Sequence, residues 1–370
     1  MAIDIIELSG GADARGQTFG TARRNQIAAY MLAWQSSLSA AGVSDPQGYL
    51  ASFLRETDYL VAIRKHTPDL LDEIRSTAET AGQPPELLLA AQFMDEEWAY
   101  RRRFEKQADP LQKCSSAAIV STTGTAWIGQ NMDLGQYTDG HQVLLRIAPR
   151  AAEPGALVFT IGGMIGLFGV NSNGVGVCVN ALPQLPASRE GLPVAFVVRK
   201  LLQASTVNDA TRAVFALPHA TSQHYLIADG STVHSLEASP AGVVEYRSSD
   251  PLRVVHTNHP LAQENQAANV GRDQTNTIAR LSSLANRLMT GSPDVEAIKE
   301  ALCASDDPAH PVCRTVKSNG GAQSVSGTTS FTTGSMVSTL QKGSRSVESW
   351  VSAGPPCLCG YTRVCLSGSP

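Results

Sequence analysis

Residues 111–134, LQKCSSAAIVSTTGTAWIGQNMDL, constrain this chain more than any other stretch. A cysteine followed by small hydroxyl residues opens an apolar run, Thr123-Gly124 supplies a turn, and a second run ends in Gln130-Asn131-Met132-Asp133. Two β-prone runs joined by such a turn predict a hairpin that begins at Cys114. Cys114 is read as a nucleophile that becomes the first residue of a mature subunit. The rest of the chain then supplies the surface the hairpin packs on and the groups its chemistry needs.

Composition narrows the possible classes. The 370 residues, 42% hydrophobic and 17% charged, suffice for one large core or two modest domains without a disulfide or metal staple. Net charge is -4, from 29 Lys and Arg against 33 Asp and Glu. The densest basic spot, Arg101-Arg102-Arg103, follows an acidic Asp95-Glu96-Glu97, so nucleic acid is not an expected partner. The N-terminus has no basic region leading into an apolar block, and no window approaches the ~20 apolar residues of a membrane span. The expectation is a cytoplasmic protein without a membrane partner. Seven cysteines, an odd number in a long chain, argue against a disulfide framework. Cys178, Cys303 and Cys313 read as small buried hydrophobes. Cys357-Leu358-Cys359 with Cys365 lacks a second ligand pair, so no metal or other cofactor is expected.

Residues 15–110 read as helical. Ile27, Tyr30, Met31, Trp34 and Leu38 form one apolar stripe. Thr67-Pro68 opens a helix whose Leu70, Leu71, Ile74 and Ala78 share a face and which Gly82 ends. A third helix follows Pro84-Pro85, burying Leu88, Ala91 and Phe93, with Glu97 read as solvated and residues 97–100 lying close to Cys114. Arg101 to Arg103 sit where the helix dipole favours cations, and Asp109-Pro110 stops helical structure. Beyond the hairpin the pattern turns to period two. Strands are expected at 143–147, at 157–161, and as a hairpin within 165–182 around Asn171-Ser172-Asn173-Gly174. The glycines there lie inside strands with no helix opening behind them, which excludes a phosphate loop. Helices at 193–205 and 208–217 precede strands at 224–228, 233–238 and 254–259. Helices at 274–289 and 295–302 precede strands at 328–339 and 347–353, and residues 317–327 read as a mobile surface loop. Runs of strands grouped apart from runs of helices indicate an α+β layered fold with antiparallel sheets.

Cleavage of the Lys113-Cys114 peptide bond would give Cys114 an α-amine of ordinary pKa ~7.7–8.0 beside a thiol of ~8.5. The amine can then take the thiol's proton, and one residue supplies nucleophile and base. A thiolate attacking an amide builds an oxyanion, and uncharged buried asparagines suit its stabilisation. Asn180 and Asn258 are the candidates, with an asparagine bonding its own turn backbone as the competing reading for each. Asp133, at the end of the hairpin, is placed to orient the Cys114 amine or simply to form a turn. His256 and His259 offer a Cys-His dyad or a metal pair as alternatives.

At these residues the sequence resembles the cysteine N-terminal-nucleophile (Ntn) acyltransferases, the family of acyl-coenzyme A:6-aminopenicillanic acid acyltransferase, and more distantly choloylglycine hydrolases and penicillin V acylases. The matching pieces are GQTFG, ELLLAAQFMDEEWAY, Cys114 with its hydroxyl followers, Gly129 to Asp133, Gly169-Val170-Asn171 through Val179-Asn180-Ala181-Leu182, and VVHTNH at 254–259. The resemblance implies a four-layer αββα fold, a helical segment 1–113 released from a core 114–370 by self-cleavage yet still associated with it, and acyl transfer through a thioester on Cys114. It gives Asp133 the α-amine, Asn258 and Asn180 the oxyanion, and Arg314 the place of the family's late arginine at the substrate. Gln130 stands where choloylglycine hydrolases carry arginine, which argues against bile-salt hydrolysis, and Lys113 stands where the penicillin acyltransferase has glycine. The expected substrate is a small N-acyl amide or peptide, with water or an amine as acceptor, and a homo-oligomer is compatible with the sequence. Two alternatives remain: an uncleaved cysteine amidase or peptidase with His256 as base, and an inactive binding protein of the same fold.

Overall fold

A computed structural model describes residues 3–102, 113–151, 153–315 and 330–367. The expected stop at Asp109-Pro110 and the loop 317–327 lie outside them. A short strand, β1 (Ile5–Leu8), precedes α1 (Ala12–Ala22), α2 (Arg24–Ala40), α3 (Pro46–Arg55), α4 (Tyr59–His66), α5 (Pro68–Ala81), α6 (Pro85–Ala91) and α7 (Met94–Arg102). The stripe of α2 is buried as its spacing requires, and α5 runs from Pro68 to a left-handed Gly82. GQTFG acquires a packing reason. A Cβ on Gly16 would lie 2.2 Å from the Glu73 carbonyl oxygen, and one on Gly20 would lie 2.4 Å from that of Thr77, so α1 crosses α5 backbone to backbone.

The single helix expected after Pro84 is two. The helix breaks at Gln92-Phe93, where the Gln92 amide donates to the Leu88 and Gly163 carbonyls and accepts from the Ile165 N–H. Phe93 packs against Phe53, Tyr59 and Phe196. Glu97 is not solvated. It is fully buried, accepting the Tyr49 hydroxyl at 2.7 Å and pairing with Arg101 at 3.2 Å. These partners are supplied by a helix remote in sequence and by the next turn, which a local reading of charge does not see.

The hairpin is β2 (Lys113–Val120) and β3 (Thr125–Gly135). Then come β4 (Gln142–Ile147), β5 (Ala156–Ile161), β6 (Phe168–Asn171), β7 (Gly176–Ala181), α8 (Val194–Leu201), α9 (Val207–Ala216), β8 (Gln223–Ala228), β9 (Val233–Ser239) and β10 (Gly242–Glu245). The chain closes with β11 (Arg253–His256), α10 (Thr275–Leu288), α11 (Val295–Leu302), β12 (Ser330–Gln341), β13 (Ser346–Ser352), the four-residue α12 (Pro356–Cys359) and β14 (Thr362–Ser367). One sheet runs β1-β4-β5-β6-β7-β8-β9-β10 and the other β11-β2-β3-β12-β13-β14. Among the described strands all pairings are antiparallel except β1 with β4, which is parallel and departs from the expected all-antiparallel sheets.

The sheets face each other through β2 and β3 against β7 and β8. Helix α9 packs on β8 and β9, while α10 and α11 pack on β11, β2, β3 and β12, which completes an αββα sandwich of the α+β class. Strands β1, β10 and β14, which the sequence pattern did not mark, all lie at sheet edges, where one side lacks a partner and alternation is weak. The strand expected to reach His259 ends at His256, because Thr257 and Asn258 turn to hydrogen-bond Thr277 on α10.

Candidate active site

Strand β2 carries Cys114 into the space between the sheets, with Lys113 opposite Asp133 and Cys114 opposite Met132 on β3. Cys114 is buried. Its backbone N–H donates to Asn258 Oδ1 at 2.7 Å, and its carbonyl accepts from Arg280 Nη1 at 2.6 Å. Arg280 also donates to Ser115 Oγ at 2.9 Å and to Asn258 Oδ1 at 3.0 Å, while its Nε reaches Asn276 at 3.0 Å. One guanidinium thus ties α10, the turn that follows β11 and the start of β2 into a single frame. Asn258 spends its own amide on the Ala181 carbonyl at 3.0 Å, so it meets Cys114 as an acceptor.

Asp133 accepts from the Thr332 hydroxyl at 2.7 Å through Oδ1, and its buried Oδ2 has no hydrogen-bond partner among the described residues. Thr332 Oγ1 in turn accepts the Arg314 N–H at 2.8 Å. A register shift between Thr332 and Gly334 marks a bulge beside the site, of the kind that re-aims side chains. Burial raises the Asp133 carboxyl above its ordinary range, against the opposing pull of Arg314, Arg280, Thr332 and Lys113. The Cys114 thiol is pushed up to about 12, chiefly by burial and then by Asp133 and Asp95, with Arg280 opposing. With Cys114 within the continuous chain the thiol is therefore protonated at neutral pH.

Asn180, on β7 of the facing sheet, accepts from Ser116 Oγ at 2.7 Å and bonds His224 Nδ1 at 2.9 Å, both through Oδ1. Its Nδ2 is buried without a partner among the described residues. His224 Nε2 meets Ser235 Oγ at 2.7 Å, and the ring stacks on His256 at 3.6 Å. Burial, and then His256, hold His224 well below the ordinary histidine pKa. A neutral His224 that donates through Nδ1 fixes the Asn180 amide with oxygen toward His224 and Ser116 and leaves its NH2 as the spare donor. His256 directs Nδ1 to the Thr257 carbonyl at 2.8 Å and Nε2 to Glu237 at 3.4 Å, so both ring nitrogens face acceptors other than Cys114. His259 bonds Thr277 at 3.0 Å.

A narrow crevice opens at Cys114. Met94, Met132, Met164, Leu167, Val179 and Val194 make its walls apolar, and Asp95, Gln92 and Gln223 add polar groups. The polar groups are largely engaged, Gln223 donating to Asp95 and Gln92 to backbone. It is the start of α7, Met94 and Asp95, that reaches the crevice, not its end at 97–100 as expected.

Cys114, Asp133, Asn180 and Asn258 therefore gather at one place, and Arg314 acts electrostatically on Asp133. Arg280, Ser116 and His224 are the site residues that sequence reasoning missed. Arg280 left a signal: it shares the buried stripe of α10 with Thr277, Leu284 and Leu288, a place where an arginine needs buried partners. No group of three or more metal-ligating side chains gathers among the described residues.

Residues 120–342 match the acyl-coenzyme A:6-aminopenicillanic acid acyl-transferase family. The chain belongs to that family. The stretch matched to this acyl-transferase family begins beyond Cys114 and contains Asp133, Asn180, Asn258, Arg280 and Arg314. The chain is similar to the acyl-coenzyme A:6-aminopenicillanic-acid-acyltransferase 40 kDa form of Emericella nidulans, 23% identical over 303 residues, 82% of each chain. Among solved structures it is similar to the conjugated bile acid hydrolase from Clostridium perfringens, at 14% identity and a TM-score of 0.49, covering 69% of this chain and 92% of that one. It is also similar to penicillin V acylase from Agrobacterium tumefaciens, at 15% identity and a TM-score of 0.46, covering 69% and 86%. No described helix is long and apolar enough to cross a membrane. Gln130, where choloylglycine hydrolases carry arginine, clamps the Val179 N–H and carbonyl at 2.8 and 2.7 Å and so serves to pin the two sheets together.

Proposed function

We propose that this chain is a self-processing N-terminal-cysteine enzyme that hydrolyses or transfers the acyl group of a small N-acyl amide or peptide. The Cys114 Sγ attacks the Lys113 carbonyl carbon, the acyl group moves from nitrogen to sulfur, and water opens the thioester to give a Lys113 carboxylate and a free Cys114 amine. Residues 1–113 and 114–370 remain together as small and large subunits. In the mature enzyme the amine takes the thiol's proton and the thiolate attacks the substrate carbonyl. The spare Asn180 Nδ2 donor receives the oxyanion. The leaving amine collects the proton from the Cys114 ammonium, and water or an acceptor amine opens the new thioester.

Asn258 Oδ1 then holds the α-amine, a role the resemblance assigns to Asp133. The observation that carries this reading is the 2.7 Å bond from the Cys114 nitrogen to Asn258 Oδ1, itself fixed by Arg280. Both ring nitrogens of His256 are engaged elsewhere, which favours the amine over a histidine as base. The apolar crevice favours an apolar acyl chain, and Arg314 is placed to act through Asp133.

The test is denaturing electrophoresis with intact-mass measurement on purified protein. Two bands with a new N-terminus at Cys114 are expected, and Cys114→Ala should give one inert band near 39.2 kDa. A single full-length band that turns over amides would overturn the proposal.

A further inference from the structure

The cysteines that the mechanism leaves unused are not dispersed. Cys313 Sγ lies 2.6 Å from Cys357 Sγ, across 44 residues of chain. The separation exceeds a bonded one by only about half an ångström, so closing it needs little backbone movement. Cys313 is buried and its N–H is tied to the Ala304 carbonyl behind α11, whereas Cys357 is exposed in the short α12 that joins β13 to β14. A hydrogen bond from Cys313 lowers the Cys357 thiol to about 7. Cys303 is near enough for its charge to act on Cys313. Position gives the pair its interest: Arg314, the next residue, is bound through its N–H to Thr332, which donates to Asp133.

We propose that Cys313 and Cys357 form a reversible disulfide with low-molecular-weight disulfides as oxidant, stapling the β13–β14 connection to the segment that carries Arg314. The exposed Cys357 thiolate attacks one sulfur of the small disulfide, whose S–S bond breaks and releases one thiol. Cys313, its proton passing to solvent, attacks the Cys357 sulfur of the mixed disulfide and expels the second thiol. Two protein thiols are oxidised and one small disulfide is reduced to two thiols. A cross-link spanning this length of chain restricts the unfolded ensemble and stabilises the fold.

The test treats the full protein with oxidised glutathione, alkylates it under denaturing conditions, digests it and maps the peptides by mass spectrometry, with a thermal melt alongside. The expected result is a peptide joined between Cys313 and Cys357 and a midpoint raised by at least about 3 °C. Both effects should reverse with dithiothreitol, vanish in Cys357→Ser and in Cys313→Ser, and survive in Cys359→Ser. Glutathione left on Cys357 with Cys313 still alkylated would overturn the proposal, as would a link through Cys303 or a joined pair with an unshifted midpoint. None of these readouts depends on the catalytic reading.

Discussion

Arg280 is the residue on which the candidate site turns. Three of its contacts, to the Cys114 carbonyl, Ser115 Oγ and Asn258 Oδ1, come from the two arms of one planar fork, and its own pKa is lowered to about 10 by burial. A lysine keeps the charge but cannot reach the Cys114 carbonyl and Asn258 together. Arg280→Lys is therefore expected to lower kcat/KM by about 10²-fold, comparable to losing one oxyanion donor, in steady-state kinetics on processed protein. Activity within a factor of two of the parent would remove Arg280 from the machinery.

Among the elements, the α1–α5 crossing is the least tolerant of change. Gly16 and Gly20 meet α5 backbone, and the same interface buries Glu73, which accepts from Arg15 at 2.8 Å and from Arg199 on α8 at 2.8 and 3.0 Å. Gly16→Ala should cost about 1–3 kcal/mol from overpacking, although alanine is the better helix former, and chemical denaturation measures it. Glu73→Gln should cost about 3–5 kcal/mol, because two buried arginines lose their counter-charge. Burial alone would raise the Glu73 pKa; Arg199 and Arg15 win and lower it. Its contribution is thus present above the ordinary glutamate range and is lost as pH falls through and below it. An unshifted denaturation midpoint for Glu73→Gln would mean that the network adds nothing.

At the scale of the whole molecule, the two proposed subunits share a core. Strand β1 pairs with β4, Glu73 pairs with Arg199, Gln92 bonds Gly163 and Ile165, and Glu96 accepts from the Val194 N–H at 3.1 Å and the Thr221 hydroxyl at 2.7 Å. Processed protein should therefore elute as one species in size-exclusion chromatography without denaturant. Elution of a separate small subunit would contradict this packing. Glu96 adds a pH signature. Burial, and then Asp95, raise its pKa to about 8, so the folded state favours the protonated acid. That stability is complete below the unfolded value of about 4.3 and drains away as pH rises toward 8. The melting midpoint should fall by several degrees between pH 5 and pH 8, and Glu96→Gln should flatten the slope; an unchanged slope would place the titration elsewhere.

Local pattern by itself determined the β2–β3 hairpin, the α2 stripe, the start and end of α5 and the Asn171–Gly174 turn, because period, proline and glycine act over a few residues. Pattern offered Cys114, Asp133, Asn180 and Asn258 as candidates with a plain turn role still open for the last three, and it was the resemblance that assigned their functions. Only the tertiary structure decided that Glu97 is buried, that Arg280 frames Cys114, that Asn258 offers its oxygen and that Cys313 meets Cys357. Each depends on a partner tens of residues away whose charge, shape or hydrogen-bonding group cannot be read until packing brings the two together.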